Sequence, residues 1–151
     1  MLENCLICER ITMIKNGTNP YFVRELETGY VVIGDSQHFR GYTLFLAKVH
    51  VTELHYFEKS FKLKYLEEMS LVEEAVAKVF NAEKMNLEML GNGDTHVHWH
   101  LFPRRQGDLL PYAEKGPVWW RPFDAPDTEL SREELKEMAS SLGAELDRVI
   151  K

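Results

Sequence analysis

One stretch, residues 95 to 104 (THVHWHLFPR), constrains this chain more than any other, because three of its six histidines recur there at every second position. A β-strand sends alternate side chains to opposite faces of a sheet. An extended segment would therefore place His96, His98 and His100 in one row that can line a site. The intervening row is apolar and can be buried: Val97, Trp99 and Leu101.

Three roles are open for this row of histidines. They could be ordinary structural residues, they could bind zinc as strand histidines do, or one imidazole could be a nucleophile that its neighbours orient. A helix would scatter the three rings around its circumference, so the pattern favours a strand. Pro103 has no N–H for the ladder and is expected to end that strand.

The stretch resembles a known signature. Residues 96 to 102 (HVHWHLF) resemble the motif of the histidine triad (HIT) superfamily, His-x-His-x-His followed by two apolar residues. Residues 103 to 108 (PRRQGD) resemble its Fhit branch. Residues 41 to 50 (GYTLFLAKVH) resemble the second landmark, a strand opened by Gly-His and closed by Pro-Lys-x-His. The resemblance covers about residues 5 to 108 and implies an α+β fold with about five antiparallel strands, one long helix and a C-terminal helix.

Composition sets outer limits on the function. The 151 residues suit one domain, which we expect to span 1–151, with a core at about 5–108 and a C-terminal loop and helix at 109–151. No apolar run is long enough for a membrane helix and no signal peptide is visible, so we expect a cytoplasmic protein. The net charge of −6 argues against nucleic acid or anionic lipid as a partner. A small anion remains open, because Arg104 and Arg105 could form a local positive mouth.

Two cysteines near the N-terminus, Cys5 and Cys8, have the Cys-x-x-Cys spacing. In the cytosol this spacing suits a metal or redox role better than a structural disulfide. HIT proteins with a similar start bind zinc through the histidine of Pro-Lys-x-His and the first triad histidine. The resemblance therefore implies a structural zinc on Cys5, Cys8, His50 and His96, with His55 as a spare ligand. The alternative is two ordinary thiols.

Residue patterns place the remaining elements. Alternation predicts a hairpin and two further strands, and helical periodicity predicts a short turn, a long amphipathic helix and a final helix that opens on the capping box at Ser131. Asn81 is expected to cap the long helix. The predicted strands are 21–26, 30–33, 42–47 and 86–90, and the predicted helical segments are 9–18, 58–80 and the one that follows Ser131.

Several polar residues are candidates for substrate contact. By resemblance, Asp35 would hold ribose hydroxyls, although a turn-forming aspartate is an equal alternative. Tyr42 stands where the family usually has histidine and can still donate a hydrogen bond. Asn92 and Thr95, in a loop shorter than in many family members, are candidates for phosphate contact. The Trp119-Trp120 pair lies in a proline-rich stretch, where packing is favoured over nucleobase contact.

The resemblance also implies a mechanism. His98 would attack the α-phosphorus of a nucleotide and form a covalent nucleotidyl-histidine. His100 would orient His98 by hydrogen bonding, while His96 would lie nearest the leaving group or be bound by zinc. The histidine at position 100 argues against the transferase branch, which has glutamine there.

The implied function is hydrolysis of dinucleoside polyphosphates such as diadenosine tetraphosphate, by a homodimer, with magnesium possible on the substrate phosphates. Adenosine phosphoramidate hydrolysis, phosphorolysis of dinucleoside polyphosphates, and a non-catalytic nucleotide-binding or zinc-scaffold role remain alternatives.

Overall fold

The computed structural model describes residues 4–150, so that residues 1–3 and 151 of the expected domain lie outside the described part. Three α-helices and five β-strands follow one another along the chain. They are α1 (Leu6–Lys15), β1 (Phe22–Glu25), β2 (Gly29–Ile33), β3 (Thr43–Ala47), α2 (Lys59–Val79), β4 (Lys84–Glu88), β5 (His98–Arg104) and α3 (Arg132–Val149). Short 3-10 turns occur at Leu54–Tyr56 and Val118–Trp120.

The five strands form one antiparallel sheet in the order β1-β2-β3-β5-β4. This arrangement confirms the expected α+β fold. Because β5 lies between β3 and β4, the triad segment is a central strand with a neighbour on each side. On the β3 side, His98 is opposite Leu46 and His100 is opposite Leu44.

The two faces of the sheet bury different helices. Alternate residues such as Val31 and Phe45 face α2 and α3, which pack together on one side of the sheet. The opposite residues, including Val32 and Leu46, face α1, whose Ile7 and Ile11 are buried against them. The predicted helical segment 9–18 overlaps α1, but the sequence patterns did not show which face of the sheet α1 covers. This position matters because the cross-strand partners of His98 and His100 point to the same face.

Pro103 does not end the strand, contrary to the prediction. It pairs with Met85 of β4, and β5 continues to Arg104. The pairing with β3 stops at Leu101, so beyond that point β5 has a neighbour on only one side. The Arg104 carbonyl accepts from Glu83 N–H on the β4 side, so the nitrogen of Pro103 faces the open side, where no donor is needed.

Other boundaries differ by a few residues. The cap of α2 is Phe80, and Asn81 instead adopts a left-handed φ of 52° directly after it, a conformation that asparagine tolerates after helix ends. The capping box of α3 is confirmed, with Ser131 and Glu134 exchanging side-chain and backbone hydrogen bonds. No helix in the described part of the chain has the length and apolar content to cross a membrane.

Candidate active site and adjoining metal cluster

A cavity lies on the α1 face of the sheet, and His98 and His100 form one of its walls. We call it the triad cavity. Leu44 and Leu46 of β3 form part of its floor, which follows from their pairing with the two histidines. Side chains of α1 close the opposite side. Further residues that line the triad cavity are Leu6, Ile7, Arg10 and Val32.

The ring of His98 is fixed by the backbone of the triad itself. Its Nδ1 lies 2.7 Å from the carbonyl oxygen of His96, and because a carbonyl only accepts, Nδ1 must carry the proton. The neutral ring therefore has its lone pair on Nε2. The side chain is only 6% exposed, so few alternative ring orientations are available.

His100 is held by Tyr42. The Tyr42 hydroxyl lies 2.6 Å from Nδ1 of His100. Burial raises the pKa of Tyr42 well above its usual value, while burial and the nearby His98 lower the pKa of His100 to about 4. Near neutral pH, Tyr42 therefore donates to an uncharged His100, whose proton resides on Nε2. The predicted hydrogen bond from His100 to His98 is not present among the described residues, where the two rings instead make an edge-on contact with centroids 4.7 Å apart.

The ring of Tyr42 is fixed on both sides. It stacks on Phe102 with centroids 4.2 Å apart and planes 4° from parallel. On its other side lies Gly34, where an added Cβ would come within 2.3 Å of the tyrosine ring. Only glycine fits at position 34, so the ring of Tyr42 is accommodated by a specific backbone gap.

Cys5, Cys8, His50 and His96 converge at the N-terminal end of α1. Their four candidate ligand atoms all lie within 4.8 Å of one another. Nδ1 of His96 is 3.6 Å from Sγ of Cys5, 3.5 Å from Sγ of Cys8 and 3.0 Å from Nδ1 of His50. Cys8 Sγ is 3.4 Å from Nδ1 of His50. His55 is not among them.

The cluster fits zinc in ligand type and spacing. Tetrahedral zinc with ordinary bond lengths separates two nitrogens by roughly 3.3 Å and a nitrogen and a sulfur by roughly 3.6 Å, which is close to the observed separations. Nε2 of His96 donates to the Ala47 carbonyl at 2.7 Å, so Nδ1 is unprotonated and faces the cluster. A ligand histidine typically donates its second nitrogen in this way. The predicted set of four is therefore brought together as a site suitable for zinc.

Of the other predicted contact residues, the structure places only some at the triad cavity. Asp35 is exposed and lines the triad cavity. Asn92 and Thr95 are exposed in the loop before His96 and are not among the residues of the cavity wall, where Asp94 takes their place. Trp119 and Trp120 are also not in this wall and are 65% and 50% exposed.

Arg104 and Arg105, expected as a local positive mouth, do not line the triad cavity, and both line a second cavity together with Lys84 and Lys115. The buried guanidinium of Arg104 donates to Asp108, Asn86 and the Gly116 carbonyl. Arg105 donates to two backbone carbonyls. Burial alone would raise the pKa of Asp108, but the hydrogen bonds from Arg104 and from the Arg105 N–H outweigh it and lower that pKa. These hydrogen bonds tie the segment after β5 to the rest of the fold.

Two charged residues of the triad cavity were not identified from the sequence. Arg10 and Asp94 both line it. Arg10 lies three residues after Ile7 and four after Leu6, so helical spacing could have grouped the three, but only once α1 was known to cover the cavity. Asp94 carried no signal beyond its nearness to the triad.

The geometry can now be compared with known proteins. The sequence profile of the HIT domain matches residues 21–107. No curated protein sequence matches significantly. Among solved structures, a histidine triad protein from Marinobacter aquaeolei VT8 is 23% identical with a TM-score of 0.72, covering 85% of this chain and 89% of its own.

Two further structures are similar over nearly the whole chain. A hypothetical histidine triad nucleotide-binding protein from Sulfolobus tokodaii strain7 is 18% identical, with a TM-score of 0.70 and 93% of both chains covered. A Zn-bound histidine triad family protein from Mycobacterium smegmatis is 21% identical, with a TM-score of 0.65 and 96% and 94% covered. At these identities the likeness establishes a shared fold.

Proposed function

The chain belongs to the HIT domain family, and from that premise we propose that it hydrolyses dinucleoside polyphosphates through a covalent nucleotidyl-histidine. The observation that carries the proposal is the locked tautomer of His98. Its Nδ1–H is held by the His96 carbonyl, so the lone pair on Nε2 is the atom available to a phosphorus in the triad cavity. This is the arrangement that a nucleophilic imidazole needs.

The proposed reaction has two steps. Nε2 of His98 attacks the α-phosphorus, a P–N bond forms, and the P–O bond to the remaining polyphosphate breaks, which releases that group with the bonding electrons. Water then attacks the same phosphorus, the P–N bond breaks, and the nucleoside monophosphate leaves. Splitting one displacement into two lowers the barrier of each.

His100 supplies a hydrogen-bond donor in this proposal. Because Tyr42 occupies Nδ1, the proton on Nε2 of His100 is free to donate to a phosphate oxygen. A neutral donor stabilises the charge that develops on the phosphoryl group without competing with His98 for a proton. Tyr42, predicted as a substrate contact, acts in this account through His100.

Asp35 is proposed to hold the ribose hydroxyls, because it lies two residues after β2 and lines the triad cavity. Asn92 and Thr95 remain proposed contacts for the outer phosphates, since both are exposed in the loop directly before His96. Magnesium, predicted only as a companion of the substrate phosphates, and cytoplasmic location stay predictions.

We propose that Cys5, Cys8, His50 and His96 hold a structural zinc. With its Nδ1 turned into the cluster and its Nε2 on Ala47, His96 is not available as an acid for the leaving group. When bound, zinc would supply a cross-link between the start of α1 and the triad segment.

Product analysis tests the reaction class. Diadenosine tetraphosphate and diguanosine tetraphosphate are incubated with the protein, with and without inorganic phosphate, and the nucleotides are separated by HPLC. Hydrolysis yields a nucleoside monophosphate and triphosphate with phosphate absent. Phosphate-dependent release of a nucleoside diphosphate would indicate a phosphorylase instead. Turnover of adenosine phosphoramidate alone would replace the proposed substrate class.

We also propose a homodimer. β4 is the last strand in the sheet order, so its outer edge pairs with no other strand among residues 4–150, and a second copy could extend the sheet there. Size-exclusion chromatography with light scattering measures the mass directly. A mass of one chain at micromolar concentration would refute the dimer.

A further inference from the structure

Arg10 is a cation in the wall of the triad cavity that the proposed chemistry does not use. Its side chain is half-buried. Within the described residues its guanidinium makes no hydrogen bond and no ion pair, while its backbone carbonyl accepts from Asn19. A guanidinium has five N–H donors and no acceptor. A half-buried guanidinium without a partner that faces a cavity is therefore suited to a ligand that offers acceptors.

The backbone of Arg10 lies on the β1 side of the cavity. Asn19, which donates to the Arg10 carbonyl at 3.3 Å, comes just before β1, and β1 is three strands from β5 in the sheet order. At about 4.8 Å between neighbouring strands, β1 is roughly 14 Å from the strand of His98. The floor between them is apolar, with Val32, Leu44 and Leu46.

This layout decides which part of a nucleotide meets Arg10. If the α-phosphorus is at His98, as the proposed function requires, then the base extends over the apolar floor to the far end. The carboxylates of Asp35 and Asp94 also line the cavity, so the cavity is not a general anion site. The base edge is thus the group within reach of the guanidinium.

We propose that Arg10 reads the base and selects a 6-oxopurine, guanine or hypoxanthine, over adenine. This inference rests on the proposed function for the placement of the phosphate. Guanine presents two adjacent acceptors, O6 and N7, which match the fork of a guanidinium. Adenine has an amino donor in place of O6, so one N–H of Arg10 would face another donor. The apolar floor accepts either base, so the discrimination between guanine and adenine comes from the hydrogen-bonding edge of the base.

Binding of nucleoside monophosphates tests this without any turnover. The dissociation constants of GMP, IMP and AMP are measured by isothermal titration calorimetry with the wild-type chain and with Arg10→Met, Arg10→Lys and Arg132→Met. Arg132 is an exposed arginine at the start of α3 and serves as the matched control. We expect GMP and IMP to bind roughly 5- to 150-fold more tightly than AMP to the wild type, the range for one bidentate pair.

The variants separate base reading from simple charge. Arg10→Met should remove the preference, and Arg10→Lys should remove most of it, because lysine keeps the charge and loses the fork. Arg132→Met should keep it. Equal binding of the three nucleotides by the wild type would overturn the proposal. So would a loss of affinity in Arg10→Met that is equal for all three and is restored by lysine, which would mean a phosphate contact.

Two further outcomes are distinguishable. Tight binding of GMP alone, with IMP equal to AMP, would mean that the 2-amino group is read by a carboxylate, and it would overturn the role of Arg10. A guanine preference that depends on Arg10, in a protein that forms no covalent adduct, would support the base reading and refute the hydrolase proposal.

Discussion

Nδ1 of His98 donates to the backbone carbonyl of His96 at 2.7 Å, while the side chain of His96 faces the Cys5-Cys8 cluster. A single residue therefore joins the candidate metal site to the candidate nucleophile. Anything that moves the His96 backbone also moves the acceptor that fixes the tautomer of His98. A change at the metal cluster should therefore also change the rate of the reaction at His98.

Zinc removal should weaken both the fold and the activity. We expect about one zinc per chain. Cys8→Ser should lower the zinc affinity by more than about 10-fold, because a ligand to the metal is lost. The Tm and kcat should fall together, since α1 and His96 lose their cross-link. Metal analysis, thermal unfolding and turnover measure the three effects.

His55→Gln is the matched control for the metal, because His55 is an exposed histidine outside the cluster. It should keep the zinc content and the Tm of the wild type. A chelated, zinc-free chain with unchanged Tm and kcat would contradict a structural metal.

Tyr42→Phe tests how His100 is held. The substitution removes the O–H donor but keeps the ring that stacks on Phe102. Loss of one hydrogen bond costs about 0.5–1.5 kcal/mol of stability, so we expect the Tm to fall by about 1–6 °C. The same energy lost in the transition state would lower kcat by roughly 2- to 12-fold. The ¹⁵N shifts of His100 should show that its proton no longer resides only on Nε2.

Tyr56→Phe is the control for Tyr42→Phe, because Tyr56 is exposed and, among the rings of residues 4–150, contacts only that of His55. It should leave kcat and the histidine spectra unchanged. If Tyr42→Phe keeps the wild-type tautomer of His100, then the hydroxyl does not set it.

The lowered pKa of His100 predicts a loss of stability in acid. The folded chain holds this pKa at about 4, against an ordinary 6.5, so between these values the unfolded chain binds more protons. The free energy of unfolding therefore falls as the pH drops from about 6.5 to about 4, and the contribution is present in full above 6.5. The difference corresponds to about 3 kcal/mol at most.

Urea unfolding at neutral pH and near pH 5 measures this slope. His100→Gln should unfold with a smaller loss between the two pH values, because no titrating ring is buried there. His55→Gln should keep the slope of the wild type. Identical slopes for wild type and His100→Gln would remove His100 as the cause.

The sequence predicted the sheet well because alternation and turn residues are local signals. Residues 30–33 and 42–47 match β2 and β3 to within one residue. The prediction at Pro103 was wrong because the end of β3 cannot be read from the sequence of β5. The pairing with β3 stops before Pro103, so its missing N–H leaves no ladder bond unmade. The set of four zinc-suitable residues came from the family resemblance and was brought together by the fold.

Other features had no sequence signal. The acceptor for His98 is a backbone carbonyl, which every residue has. Arg104 resembles a free cation in the sequence, and only the fold shows that Asp108 and Asn86 accept hydrogen bonds from its guanidinium. The role of Arg10 depends on where α1 docks, and the side-chain pattern of a short helix does not encode which sheet face it covers.

The most direct measurement is intact-protein mass spectrometry after brief mixing with a dinucleoside tetraphosphate and an acid quench that is neutralised at once, because a phosphoramidate is acid-labile. The account predicts a wild-type species heavier by one nucleoside monophosphate residue, and no such species in His98→Ala, which should still fold but not turn over. Peptide mapping should place the adduct on His98. An adduct of equal yield in His98→Ala, or turnover by that variant near the wild-type rate, would contradict the central claim.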